Sequence, residues 1–153
     1  MGHNIPNDQH VSHAAPADPT VSQQHPMFDA INELVVHVHN ANVEAGWWTN
    51  LFTGEDLRHT TPGPNRNVPE MIALMHSELS EALEGYRKGL MDDKLPHRPM
   101  VEVEFADTII RICDCAGGLG LDLGGAIREK LAYNAQREDH KAENRRLAGG
   151  KTI

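Results

Sequence analysis

The stretch NVPEMIALMHSELSEALEGYRKG, residues 67–89, contains the start signal, the body and the stop signal of one helix. Asn67 can cap its N-terminus, Pro69 suits the first turn, and Gly89 is a natural C-terminal stop. Between them, apolar side chains recur at the three- and four-residue spacing of an amphipathic helix. The stretch therefore predicts a helix that ends at Lys88 and buries one face.

Three further segments have the same period. They run from about residue 27 to 48, from about residue 100 to 116 before Gly117-Gly118, and from an Asp122 cap through about residue 146. Apolar residues make up 39% of the chain and aromatic residues only 5%, which favours helices over strands. The predicted fold class is all-α, an antiparallel bundle of about four main helices. Apolar stripes of this length also predict a homo-oligomer.

Composition divides the chain into three regions. Residues 1–25 are polar and rich in Pro and His, and they are predicted to be a disordered arm, because they cannot bury enough surface to offset their ordering entropy. Residues 26–147 form the predicted helical domain, and residues 148–153 a flexible tail. The formal net charge of −8 argues against binding to nucleic acid. No membrane-spanning run or signal core appears, so a cytoplasmic location is expected.

Four carboxylates interrupt the apolar faces of two consecutive helices. Glu78 and Glu81 lie three residues apart on the second helix, and Glu104 and Asp107 repeat that spacing on the third. If the two helices are neighbours, the four groups converge, and desolvation and repulsion oppose such a cluster unless a cation binds it. Carboxylate oxygens are the ligands that Mg²⁺ and Mn²⁺ prefer. The alternative is that both motifs lie on solvated helix faces.

The segments ELSE (78–81) and EFAD (104–107) match the E-x-x-E and E-x-x-D motifs of the MazG-like, all-α nucleoside triphosphate pyrophosphohydrolases. KLAYNAQR (130–137) also resembles the segment that follows these motifs in that family, and the resemblance covers about residues 27–140. It implies a homodimer or homotetramer that needs Mg²⁺, or Mn²⁺ in its place. It also implies cleavage of a (deoxy)nucleoside triphosphate to the monophosphate and pyrophosphate by attack of water at the α-phosphorus.

The resemblance assigns roles to the acidic and basic residues. Glu78, Glu81, Glu104 and Asp107 become metal ligands, and one of the first two glutamates, with Glu81 favoured, also serves as the catalytic base. Lys130, Asn134 and Arg137 share one helix face and could bind the phosphates. The alternative for these three is a solvent-exposed stripe whose cations pair with neighbouring acids.

Trp47 and Trp48 are the two tryptophans of a chain poor in aromatic residues. An indole can stack on a nucleobase, and it can equally fasten a helix end to the core. We expect one indole to be structural and the other to lie near the ligand, with Trp48 preferred as the base-binding residue. Asn40, Asn42 and Asn50 could read base edges.

Two alternatives to this function remain open. A phosphoribosyl-ATP pyrophosphatase-like enzyme would use the same fold and cleave the same bond in another substrate. A non-catalytic helical module would use the acids for structural metal binding or for recognition of a partner.

Overall fold

The computed structural model describes residues 25–58, 66–147 and 149 of the 153-residue chain. Its elements are α1 (Pro26–Glu44), α2 (Val68–Lys88), α3 (Met100–Leu119), α4 (Leu123–Gln136), a 3-10 helix (Glu138–His140) and α5 (Ala142–Arg145). These residues form no strand, only two isolated β-bridges. The predicted all-α class is confirmed, while the antiparallel arrangement and the homo-oligomer stay predictions. None of the helices in these ranges is long and apolar enough to cross a membrane.

The chain divides into two compact units. The first unit covers the described residues up to Ile127, and the second covers those from Arg128 onward. The boundary falls inside the helical domain predicted over residues 26–147. The predicted polar arm lies outside the described residues except for His25, and so does the predicted tail except for Gly149.

Local capping signals mark the ends of two helices correctly. The Asn67 side chain accepts a hydrogen bond from the backbone N–H of Glu70 at 3.3 Å, and α2 ends at Gly89 with a φ of 63°. At the start of α4, Asp122 Oδ1 accepts from the backbone N–H of Gly125 at 2.8 Å. Each of these bonds satisfies a terminal donor that the helix itself leaves unpaired. The predicted caps are confirmed.

Other predicted helix ends are wrong. α3 continues through Gly117 and Gly118 and ends only at Leu119, with Gly120 as its C-cap at a φ of 65°. A Cβ at position 118 would lie 2.0 Å from Cη2 of Trp48, so glycine is needed there for packing rather than for termination. α1 ends at Glu44, before the tryptophans, and the fourth predicted helix stops at Gln136.

α3 packs against both α1 and α2 within the first unit. One core cluster contains Val35, Cys113 and Ala116, and a second contains Trp48, Met71 and Cys115. Both clusters use side chains from α3, so the faces of that helix are fixed by packing on its two neighbours. This packing determines where the acidic residues of α2 and α3 lie.

Candidate metal centre and adjoining cavity

Three of the four predicted metal ligands form one cluster. Glu78 of α2 and Glu104 and Asp107 of α3 each offer a carboxylate oxygen within 4.8 Å of the others. Glu78 and Glu104 are buried, with 8% and 7% of their surfaces exposed. The three-residue spacing puts Glu104 and Asp107 on one face of α3, and the packing of α2 brings Glu78 to that face.

Glu81 lies beside this cluster rather than in it. Its residue is exposed, and its carboxylate accepts a long hydrogen bond from Ser77 Oγ at 3.4 Å. Its negative charge nevertheless contributes to the raised pKa of Glu104, so the two carboxylates are close enough to interact. Glu81 is therefore more accessible to water than Glu78 and Glu104, which are buried.

The surroundings of the cluster disfavour the charged form of its carboxyl groups. Burial raises the pKa of Glu104 to about 7, and a hydrogen bond shared with Glu78 and the charge of Glu81 act in the same direction. Burial and the charge of Glu78 also raise the pKa of Asp107, while the nearby Arg111 guanidinium opposes that rise. A proton is thus retained near neutral pH, where a divalent cation could replace it.

Arg111 is a further member of the site that the sequence analysis missed. Its Nε donates to Glu78 Oε1 at 2.6 Å, and 40% of its side chain is exposed, against 10% for that of Glu78. Arg111 follows Asp107 by four residues, so it lies on the acidic face of α3. That spacing was the signal in the sequence that could have revealed it.

A cavity of about 300 Å³ adjoins the cluster. This volume is at the low end of the range of about 300–1,000 Å³ that is usual for ligand pockets. Its lining combines acids, two guanidinium groups, an indole and aliphatic side chains: Asn42, Trp47, Arg66, Leu74, Glu78, Asp107, Ile110, Arg111 and Asp114.

The two tryptophans have opposite environments. Trp48 is only 1% exposed, and its Nε1 donates to Asp114 Oδ1 at 2.8 Å. Trp47 is 65% exposed and lines the cavity. The preference for Trp48 as the base-binding indole is therefore wrong in this structure, because its ring is enclosed by the core. Trp47 is the indole that a ligand can reach.

Asp114 is a buried carboxylate that contacts three polar side chains. It accepts from Trp48, lies 3.0 Å from His39 Nδ1, and pairs with Arg66 Nη1 at 3.7 Å. The guanidinium carbon of Arg66 also lies 5.0 Å from the centroid of the Trp48 ring. Together these contacts hold Arg66 at the cavity wall. A lone arginine before a helix carries no periodic signal, so the sequence did not indicate it.

The three predicted phosphate-binding residues belong to the second unit and are described within it. Lys130 Nζ lies 5.0 Å from the centroid of the Tyr133 ring, and Arg137 Nη2 pairs with Asp139 Oδ2 at 2.6 Å. The Oδ1 atom of Asn134 is buried and has no hydrogen-bond partner in the part of the chain that the structure describes. Their role toward phosphate stays a prediction.

Comparison of the chain with protein-family models, with curated proteins and with solved structures gives no match. The MazG-like motifs therefore remain a resemblance, and a function has to be argued from the geometry of the site.

Proposed function

We propose that this protein is a divalent-cation-dependent pyrophosphohydrolase that converts (deoxy)nucleoside triphosphates to the monophosphate and pyrophosphate. The observation that carries the proposal is the cluster of Glu78, Glu104 and Asp107, whose oxygens lie within 4.8 Å of one another beside a cavity. The MazG-like spacing of the acidic motifs supports the same conclusion. The proposal includes a homodimer or homotetramer.

The cluster fits a hard divalent cation. Each of its donors is a carboxylate oxygen, which favours Mg²⁺ or Mn²⁺ over softer metals. The three side chains, whose carboxylate oxygens lie within 4.8 Å of one another, would have to draw closer together to hold one small cation. Glu104 would give up its proton on binding, which makes the affinity for the cation increase with pH.

The proposed reaction is hydrolysis at the α-phosphorus. The oxygen of water attacks that phosphorus, the bond to the oxygen bridging the α- and β-phosphates breaks, and pyrophosphate leaves. A bound divalent cation would neutralise phosphate charge and lower the pKa of a water molecule. Glu81, which is exposed and close to Glu104, accepts the proton of the attacking water in this proposal. Positioning and charge neutralisation do most of the work in phosphoryl transfer.

The cavity provides groups for the rest of the nucleotide. The exposed indole of Trp47 offers a face for stacking on the base, and Asn42 offers an amide for its polar edge. Arg66 and Arg111 place positive charge at the cavity wall, which offsets the repulsion between a polyphosphate and an acidic chain. The phosphate-binding role of Lys130, Asn134 and Arg137 stays a prediction from the sequence.

The first experiment incubates the purified protein with Mg²⁺ and each common NTP and dNTP, and also with phosphoribosyl-ATP, and identifies the products by chromatography. Monophosphate and pyrophosphate, formed with Mg²⁺ and absent with EDTA, are the expected products from the common nucleotides. Diphosphate and phosphate would contradict the proposal, because they require cleavage of another bond. If phosphoribosyl-ATP is hydrolysed and the common nucleotides are not, the protein is the phosphoribosyl-ATP pyrophosphatase-like enzyme instead.

Matched variants connect the activity to the cluster. Asp107→Asn should lower kcat/KM at least about 100-fold, since loss of outer-sphere partners alone costs 10- to 100-fold at metal sites. Glu84→Gln is the control, because this exposed glutamate of α2 pairs with Lys88 and lies outside the cluster. Full activity in Asp107→Asn would refute the assignment of the site.

A non-catalytic module is the second candidate, and the ion pair between Arg111 and Glu78 favours it, because it already neutralises part of the cluster. That module predicts no turnover. If the acids only bind a structural cation, Mg²⁺ would raise the melting temperature without any hydrolysis. If they serve recognition alone, Mg²⁺ would leave the melting temperature unchanged.

A further inference from the structure

We infer that Arg111 is an exchangeable anion receptor. Its guanidinium stays on Glu78 while no cation is bound, and it moves to a phosphate of the nucleotide when a divalent cation is bound by Glu78. This inference rests on the proposed function and assigns a change of partner to Arg111, a residue that neither the acidic motifs nor the segment 130–137 contains.

The starting position is the ion pair with Glu78. The bond from Arg111 Nε to Glu78 Oε1 is 2.6 Å long, and Glu78 belongs to the three-carboxylate cluster. A cation bound by that cluster needs negative charge from the same carboxylate. The guanidinium and the cation therefore compete for Glu78, and their positive charges repel each other. At equal distance the doubly charged ion attracts the carboxylate more strongly than the singly charged guanidinium does.

The guanidinium would contact the phosphate within the cavity that Arg111 already lines. Its side chain is 40% exposed, so rotation of its bonds can turn the guanidinium away from Glu78 on the solvent side of the core. A guanidinium has five N–H donors in a planar fork, which suits the oxygens of a phosphate. A released Arg111 would thus exchange one anionic partner for another within the same cavity.

Arg66 is the other guanidinium that lines this cavity, and buried groups hold it in place. It is held by Asp114 at 3.7 Å and lies over the ring of Trp48 at 5.0 Å, both of which are buried groups. Arg111 has a metal-ligand candidate as its partner instead. Only the partner of Arg111 is therefore predicted to change when a cation is bound.

A purely structural role makes the opposite prediction for cation binding. If Arg111 only held Glu78 in a geometry suited to the cation, removal of the guanidinium would weaken binding of the cation. If Arg111 competes with the cation, its removal strengthens that binding while it weakens binding of the nucleotide. The two affinities must therefore be measured separately.

The test compares the parent with Arg111→Gln and Arg111→Lys by calorimetry. Mn²⁺ alone should bind Arg111→Gln about two- to five-fold more tightly, the range expected for removal of a partly exposed ion pair. The α,β-methylene analogue of the best nucleotide, added with saturating Mn²⁺, should bind Arg111→Gln about ten-fold or more weakly, because a charged hydrogen bond is lost. Arg111→Lys keeps the charge and should recover part of the nucleotide affinity.

Arg98→Gln is the matched control, because Arg98 is exposed beside α3 and pairs with Glu102 at 2.6 Å. Both affinities should match those of the parent. Weaker Mn²⁺ binding in Arg111→Gln, or unchanged nucleotide affinity, would overturn the inference. A parent that binds Mn²⁺ and hydrolyses no nucleotide would instead overturn the proposed function. Inorganic triphosphate would then replace the analogue. Tighter binding of Mn²⁺ and weaker binding of triphosphate in Arg111→Gln would still support the inference, and the opposite change in either affinity would overturn it.

Discussion

At the scale of single residues, Glu104 lies in an environment that is unfavourable to its charged form. It is 7% exposed, shares a hydrogen bond with Glu78, and experiences the negative charges of Glu81 and Asp107. A chain selected for stability alone would place an aliphatic side chain there, because burial of a charge among like charges is unfavourable. The energetic cost is consistent with a site that exists to bind a cation.

This cost predicts how the stability of the cation-free protein depends on pH. The pKa of Glu104 is raised from 4.5 to about 7, so between these values the folded state binds more protons than the unfolded state. The free energy of unfolding should therefore fall as pH rises through that window, by an amount on the order of 1–3 kcal/mol. Urea unfolding in EDTA, followed by circular dichroism between about pH 5 and pH 8, measures the effect.

Glu104→Gln is the control for this prediction. The amide keeps the size of the side chain and its ability to donate to Glu78, but it does not titrate. Most of the slope should disappear, and the variant should be more stable than the parent near pH 8 in EDTA. Glu102→Gln, at an exposed position of the same helix, should keep the parental slope. A parental slope in Glu104→Gln would show that other groups cause the pH dependence.

Sequence reasoning at this scale succeeded for the residues that share a period. The spacing of the acids predicted that four carboxylates meet if α2 and α3 are neighbours. Three of them form the cluster, and Glu81 lies beside it. Sequence reasoning did not distinguish Trp47 from Trp48, because adjacent residues in a turn can point either into the core or into solvent. That choice depends on where α3 leaves room for an indole.

At the scale of elements, α3 shows how packing overrides a local signal. Two consecutive glycines predict a helix end, yet α3 passes through them. An added Cβ at Gly117 would lie 2.5 Å from His39 Cβ, and one at Gly118 would lie 2.0 Å from Trp48 Cη2. The glycines allow α1 and the following turn to approach α3 closely.

Gly118→Ala should therefore destabilise the protein by about 1–3 kcal/mol, the usual cost of overpacking, although alanine is the better helix former. The melting temperature and the fluorescence of Trp48 report the effect. Gly89→Ala should cost stability for another reason, since φ is 63° there while no atom lies within 4 Å of the added Cβ. Its tryptophan fluorescence should stay unchanged. A Gly118→Ala variant as stable as the parent would mean that the indole can move aside.

At the scale of the whole molecule, one helix has a stripe of exposed apolar side chains. Ile72, Leu79, Leu83 and Tyr86 follow one stripe of α2 and are between 44% and 75% exposed. Contiguous apolar surface of this kind marks interfaces between proteins. The predicted homo-oligomer would bury this stripe between copies of the chain.

Light scattering should accordingly give a mass that is a multiple of 16.9 kDa. Leu83→Arg should shift the mass toward that of one chain, because a charge would then be buried in the interface. Leu121→Arg, at an exposed position after α3, should leave the mass unchanged. A parent that scatters as a single chain would contradict the oligomer and leave the stripe without this explanation.

The sequence by itself determined the all-α class, the caps at Asn67, Gly89 and Asp122, and the three-residue spacing that puts Glu104 and Asp107 on one face of α3. These follow from interactions within a few residues and from the helical period. Only the tertiary structure decided that α3 continues past its glycines, that Trp47 rather than Trp48 faces the cavity, that Arg66 lies at the cavity wall, and that Glu78 meets Glu104 and Asp107 while Glu81 stays outside their cluster. Those outcomes depend on contacts between residues far apart in the chain, which no local pattern encodes.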